Sequence, residues 1–344
     1  MVIYILRRVL MMIPTLFGIT ILSFVIINLT PGSPVEQKLQ AIRMGGAISG
    51  SGGGVTAGRS ESGVSQEVVD ALNKQYGFDK PLHERYWKWL KNIIRLDFGE
   101  SFKYEEPVTA LIVSKFPVSL TFGITSFILT YLICIPLGVL KAIKNGSTFD
   151  RVTTVILFVT YSIPPIMLGI LLLVFFAGAT YFSWFPLEGV FSDNYSELSM
   201  SAKILDRLHH MILPLICYMI GGFTFLTMMM KNSMLDVIEL DYVRTAKAKG
   251  LSTKTVYMKH ALRNALIPVV TGMSGILSLF FSGSILIERI FNLDGMGLLG
   301  FTAVGARDYN VLMGLIFFQS LMFLLGRLVT DILYVVVDPR IDFT

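Results

Sequence analysis

The sequence predicts an all-α, polytopic membrane protein with six membrane-spanning helices, and three observations carry that prediction. The chain is short of charge: of 344 residues, 53% are apolar and 15% charged, with 29 basic and 24 acidic side chains. A soluble chain of this length would carry roughly 86 charges, and the mean hydropathy here is +0.65. The shortage is also localised in six charge-free windows. Finally, the basic residues are divided unequally among the segments between those windows. Together these exclude a soluble globular enzyme, a disordered chain and a nucleic-acid binder. Two cysteines cannot build a disulfide framework, and four histidines leave little for a His-rich metal centre.

The windows are Val9–Val35, Phe116–Leu140, Val152–Leu187, Leu208–Met230, Asn264–Ile287 and Tyr309–Gly326. A helix needs ~20 apolar residues to cross a ~30 Å hydrocarbon core, and each window meets or approaches that length. The last is extended by Ile332–Val337. The first follows Arg7-Arg8 but runs well past a signal-peptide core with no small-residue cleavage site after it, so it is expected to remain as span one. The third contains Pro164-Pro165 and leaves through Trp184 and Pro186; one span with an interfacial tail is the simpler reading, two short spans the alternative. Gly272, Gly275 and Gly283 in span five and Gly221-Gly222 in span four are expected to permit close helix packing.

Orientation follows from basic residues in short loops. With the N-terminus cytoplasmic, the inside segments hold Arg7, Arg8, Lys141, Lys144, Arg151, seven residues between Lys231 and Arg263, and Arg340. The two short outside loops hold only Lys203, Arg207, Arg289 and Arg307. Both termini are therefore predicted inside. The resulting plan is 1–35 for the N-terminus and span one, 36–115 for an external segment, 116–337 for a five-helix core, and 338–344 for a cytoplasmic tail. Within the external segment, the glycine-rich stretch 45–63 reads as a flexible insertion. Gln66–Tyr76, with Val68, Val69, Leu72 and Tyr76 on one face, and the aromatic-rich Pro81–Ile94 read as two helical stretches, forming either an external cap or a hairpin at the membrane interface.

Several motifs look chemical and lack their context. Gly295-Met296-Gly297-Leu298-Leu299-Gly300 matches a dinucleotide fingerprint without the strand and acid it requires. Asp97-Phe98-Gly99 has no kinase loops beside it and reads as a turn. His83-Glu84-Arg85-Tyr86-Trp87 ends in Trp where a zinc helix needs His. His209-His210 are adjacent, so they point to different helix faces. No Gly-Lys dipeptide occurs, so a Walker A loop is excluded. Arg327 and Asp331, four apart in span six, are expected to pair on one face, as a structural ion pair near the interface or as a gate.

The most informative hydrophilic segment is 231–263, with seven basic and three acidic residues. At its centre, Asp241-Tyr242-Val243-Arg244-Thr245-Ala246-Lys247-Ala248-Lys249-Gly250-Leu251 reads as a short helix. Asp241 suits its N-cap, and Gly250 suits the left-handed position after its end. Ala246 and Ala248 keep it thin enough for a groove; Lys247 and Lys249 complement its dipole. Alone, this could also be a basic loop resting on lipid headgroups.

These residues carry a resemblance. Arg7-Arg8 with Pro14-Thr15, Pro31-Gly32-Ser33-Pro34 and Tyr76-Gly77-Phe78-Asp79-Lys80-Pro81 belong to it. So do Asp97-Phe98-Gly99-Glu100-Ser101, the Asp241–Gly250 stretch, Asn292–Gly297, Arg307-Asp308-Tyr309 and Val337-Asp338-Pro339-Arg340. The chain resembles the B-type permease subunit of the dipeptide/oligopeptide/nickel class of ABC importers over nearly its whole length. The glycine-rich insertion and the ending Ile341-Asp342-Phe343 resemble more narrowly the Yej-type permease, associated with oligopeptides and the peptide antibiotic microcin C. The resemblance implies the type I, MetI-like importer fold with an external insertion, in the bacterial inner membrane. It also implies that Asp241, Tyr242, Arg244, Thr245, Ala246, Ala248, Gly250 and Leu251 form a coupling helix seated in a cytoplasmic ATPase. Arg244-Thr245-Ala246 stand where that family writes E-A-A, a departure at the first two positions. The implied partners are a second homologous permease, two ATPase subunits or one fused ATPase, an external solute-binding protein, the peptide substrate and membrane lipid. ATP and magnesium would be bound by the ATPase, with no cofactor, metal or catalytic residue in this chain. Dipeptides, nickel or another small solute remain alternative cargoes. A secondary transporter, a membrane protease and a receptor are rivals from other classes.

Overall fold

The computed structural model describes residues 2–29, 79–178, 181–272 and 283–337. Among these the only β pairing is an isolated antiparallel bridge between Glu100 and Pro107; everything else regular is helical. Among the described residues four helical stretches are long and apolar enough to cross a membrane, Tyr4–Leu29, Val108–Ile143, Met200–Ile238 and Tyr309–Ile332. They lie in α1 (Val2–Leu29), α3 (Val108–Ile143), α6 (Met200–Ile238) and α13 (Tyr309–Val337). Between α1 and α3 lies the amphipathic α2 (Leu82–Ile93). Helix α6 has 39 residues and is therefore about 58 Å long, nearly twice the hydrocarbon thickness. Its ends must project beyond the lipid tails.

The third window is neither one straight span nor two. Helix α4 (Thr148–Tyr161) and the run Pro165–Ala177, which comprises α5 (Pro165–Leu172) and a π-turn, are bent by 92°. The cause is Pro164-Pro165. Each proline bars the residue before it from the helical region, and Pro164 is extended at ψ 136°. Pro165 then starts α5 at the first helical position, where its missing N–H costs nothing.

After α6 come α7 (Asp241–Ala248), α8 (Thr253–Thr255), a π-turn at Val256–Ala261, α9 (Leu262–Ala265) and α10 (Ile267–Gly272). Then follow α11 (Ile285–Ile290) and α12 (Met296–Gly305). The middle of predicted span five, with Gly275, lies outside the described residues, as do the glycine-rich stretch 45–63, Gln66–Tyr76 and the 338–344 tail.

The chain divides into two compact units, one made of Met1–Met12, Lys115–Leu299 and Gln319–Thr344, the other of Ile13–Ser114 and Gly300–Phe318. In the first, one apolar cluster joins Cys134 and Val139 of α3, Met230 and Met234 of α6, Val243 and Ala246 of α7, and Val256, Ala261, Ala265 and Val269 beyond. A second joins Phe122 of α3 with Met211, Leu213 and Cys217 of α6 and Ile287, Phe291 and Leu293. Close helix packing occurs at Gly138 of α3, where a Cβ would stand 2.7 Å from the Met230 Cβ. Gly221 and Gly222, expected to serve that purpose, face open space.

In the second unit, α2 buries Tyr86 and Ile93. Tyr86 packs against Phe24 and Met313, its hydroxyl lies 3.0 Å from Thr20 Oγ1, and Arg85 donates to Asn28 at 2.5 Å. Burial draws the Arg85 guanidinium below its usual pKa. Of the two expectations for this stretch, the aromatic side chains here do more than sit at an interface: Tyr86 anchors the helix to α1.

Candidate coupling surface and buried charge centres

Helix α7 is a two-faced element. Leu240, extended at φ −69°, ψ 145°, is its N-cap and makes no side-chain cap bond. Asp241 is thus the first helical residue rather than the cap, where its carboxylate still favours the positive helix end. Gly250 takes φ +80°, two residues beyond Ala248, as a left-handed terminator requires. Val243 and Ala246, three apart, are the buried pair that seats α7 on α6. Ala246 therefore cannot belong to a groove-facing surface.

Asp241, Tyr242, Arg244, Thr245, Lys247, Ala248, Gly250 and Leu251 remain exposed on the other side. The Arg244–Asp241 contact at 3.9 Å joins two side chains that are 70% and 99% exposed, a geometry that adds little stability and leaves both available to a partner. Two braces hold the helix: Asn264 Nδ2 donates to the Tyr242 hydroxyl at 2.8 Å, and Lys247 Nζ reaches the Tyr257 hydroxyl at 3.4 Å.

The expected Arg327–Asp331 pair does not form. Asp331 instead meets Arg8 of α1 at 3.1 Å, while the Arg327 guanidinium lies 5.1 Å over the Phe323 ring. The reason is reach: α13 brings Asp331 beside α1, and a cation from another helix neutralises it without bending along its own.

Three buried carboxylates escaped the sequence reading. Asp150, in the first turn of α4, accepts from Lys231 Nζ at 2.8 and 2.9 Å and lies 3.1 Å from Lys141 Nζ. It also accepts the Gly146 N–H at 3.1 Å, closing the α3–α4 turn. Lys141 is spent further on Asp150 O, Thr153 Oγ1 and Thr154 Oγ1 at 2.7–2.9 Å. Two ammoniums thus share one carboxylate.

Glu288, fully buried, accepts from Ser119 Oγ at 3.0 Å, Tyr218 Oη at 3.4 Å, Ser284 N at 3.2 Å and Leu298 N at 2.7 Å. Ser119 also accepts the Met296 N–H at 2.8 Å. The carboxylate thereby satisfies the Leu298 amide in the first turn of α12, Ser119 satisfies that of Met296, and the pair ties this turn to α3 and α6. This explains the Gly-x-Gly pattern physically: a Cβ on Gly295 would stand 2.6 Å from the Glu288 carboxylate. The glycines at 295 and 297 make room for a protein carboxylate.

Asp308, in the second unit, accepts from Ser101 Oγ at 2.5 Å, Lys103 N at 3.2 Å and Val311 N at 3.3 Å. It caps α13 and joins two motifs 207 positions apart, with Asp97 making the expected turn by accepting the Gly99 N–H at 3.0 Å. Asp308→Ala should cost about 1–2 kcal/mol for the cap alone and more for the stranded Ser101 and Lys103 donors. Ser101→Ala, which strands none of Asp308's amide partners, should lower the thermal unfolding midpoint in detergent by less. Equal shifts would contradict the capping role.

His209 Nε2 lies 2.7 Å from Trp184 O, and His210 Nδ1 is 2.9 Å from Asp206 O, so the two histidines serve separate neighbours. Among the described residues no group of three or more His, Cys, Asp or Glu could hold a metal ion.

Comparison with known proteins places this arrangement in a family. Residues 134–343 match the family described as binding-protein-dependent transport system inner membrane component. The inner membrane ABC transporter permease protein YejB of Escherichia coli O157:H7 is 45% identical over 99% of this chain and 98% of its own length. The peptidoglycan transport system permease protein YejB of Agrobacterium fabrum is 44% identical over 99% and 98%. The oligopeptide transport system permease protein AppB of Bacillus subtilis is 36% identical over 99% of each chain. The chain therefore belongs to the binding-protein-dependent transport system inner membrane component family, as an integral inner-membrane permease subunit of an ABC importer and not itself an enzyme.

Proposed function

We propose that this chain forms half of an oligopeptide translocation path and that α7 is its coupling helix. The observation that carries the reading is the division of α7 into a buried seat, Val243 and Ala246, and a free face of Asp241, Tyr242, Arg244, Thr245, Ala248, Gly250 and Leu251. A loop merely resting on headgroups has no need of an apolar anchor into the helix bundle. Relatives named for oligopeptide and peptidoglycan transport support a peptide cargo. The partners are a second homologous permease, two ATPase subunits or one fused chain, and an external solute-binding protein. ATP and magnesium bind to the ATPase. Both termini face the cytoplasm, as the basic residues around α7 support. ATP binding then favours one conformation of the path over the other through its differential affinity for the two states of the assembly.

Ala246→Glu would damage the seat, so Ala248→Glu is the sharper test. It should reduce ATPase co-purification from mild detergent, and peptide uptake, by about tenfold, equivalent to ~1.4 kcal/mol of binding, with an unchanged thermal midpoint. Wild-type uptake and wild-type ATPase recovery by Ala248→Glu would refute the assignment. Uptake persisting after ATP depletion would favour a secondary transporter.

A further inference from the structure

Resting on that reading, we propose that Lys141, Asp150 and Lys231 are positioning residues that convert movement of α7 into movement of the α4–α5 elbow. The three residues are 0%, 5% and 9% exposed and come from three elements, the end of α3, the first turn of α4 and the last third of α6. Lys231 follows Met230 and precedes Met234, and those two methionines share one buried apolar cluster with Val243 and Ala246 of α7. A load on α7 therefore reaches α6 through apolar contact.

Apolar contact alone does not fix direction. The Lys231–Asp150 pair adds a directed tie, because one buried ammonium donates short charge-assisted bonds to both carboxylate oxygens, at 2.9 and 2.8 Å. Asp150 belongs to α4, so displacement of α6 is delivered to the base of the helix that ends in the 92° break. Lys141 holds the same turn from α3 through the Asp150 carbonyl and the hydroxyls of Thr153 and Thr154. Farther along, Thr224 of α6 donates to Leu157 O of α4 at 2.8 Å, a second tie in the same direction. Fixing three helices to each other needs one buried carboxylate; the second ammonium is what makes it a junction of three rather than a pair.

The test uses the complete importer, both permeases, ATPase and binding protein, in proteoliposomes, reading peptide taken up per ATP hydrolysed at matched amounts of assembled complex. Lys231→Met leaves the neutral Lys141–Asp150 pair and should assemble, hydrolyse ATP and lose at least threefold in uptake per ATP. Asp150→Glu keeps every charge, moves the carboxylate by one methylene, and should also lower the ratio; it decides the matter if Lys231→Met does not assemble. A wild-type ratio in the variants that assemble overturns the inference and leaves the coupling helix standing. A purely structural role would lower the amount of complex with the ratio unmoved. Failure of the unmodified complex to couple uptake to ATP would overturn the functional reading, and this inference with it.

Discussion

Glu288→Leu should leave little chain recoverable as a monodisperse species in mild detergent. The substitution is close to volume-neutral, so packing is not the cause. It removes the acceptor of two hydroxyls, Ser119 and Tyr218, and of two amides, Ser284 and Leu298. A buried donor left without an acceptor costs ~1–3 kcal/mol. Tyr218 still accepts the Ser284 amide at 3.2 Å, which spares one donor and leaves three, so the total is on the order of 3–9 kcal/mol. Such a loss rivals the whole stability of many domains. Glu288→Gln keeps one acceptor oxygen but turns a donor toward donors, and should fall between. The measurement is the monodisperse fraction and its thermal midpoint, and an unshifted midpoint for Glu288→Leu would contradict the role.

Asp150→Leu should be comparably damaging for a different reason, and should be rescuable. Without the carboxylate, two buried ammoniums face each other unpaired, a penalty on the order of 3–5 kcal/mol or more. Adding Lys141→Leu and Lys231→Leu removes the charges themselves, and replacing a whole buried ion group by apolar residues is often neutral. The hydroxyls of Thr153 and Thr154 keep their bonds to Phe149 O and Asp150 O, so only the Gly146 amide is stranded. The triple variant should therefore recover a thermal midpoint near wild type, a non-additivity expected of contacting residues. A triple variant no better than Asp150→Leu would contradict this account. No apolar rescue is open at Glu288, because half of its donors are backbone amides that no substitution deletes.

These centres show how far the sequence could be read. The helical class, four of the long spans and the extent of α7 follow from charge-free windows and local capping chemistry, which act over neighbouring residues. The left-handed Gly250 was equally legible, since a helix stop is a local event. The 92° elbow was half-visible: Pro164-Pro165 marked a break, but whether a broken helix stays in line depends on what its second half packs against. Asp241 was misplaced by one residue because extended Leu240 supplies the cap conformation. Ala246 reads from the sequence as a residue that keeps the helix thin for a groove, because its small size suits a groove and a core equally.

The charged residues make the same division. Lys141, Lys231, Glu288 and Asp308 were all present in the sequence as the borders of charge-free windows, where they served only to mark where lipid stops. A border residue is one side chain's length from water, and nothing local says whether it turns outward or in. Asp331 could have paired along its own helix and pairs with Arg8 instead. By itself the sequence determined that this is a charge-poor bundle of membrane helices with one basic, capped helix outside it, because hydrophobic length and helix-end chemistry are short-range. Which charges are buried, and with whom, only the tertiary structure decided. A buried ion is tolerable solely when partners from other helices arrive together, and the chain separations involved, from 9 to 207 positions, lie beyond any local pattern.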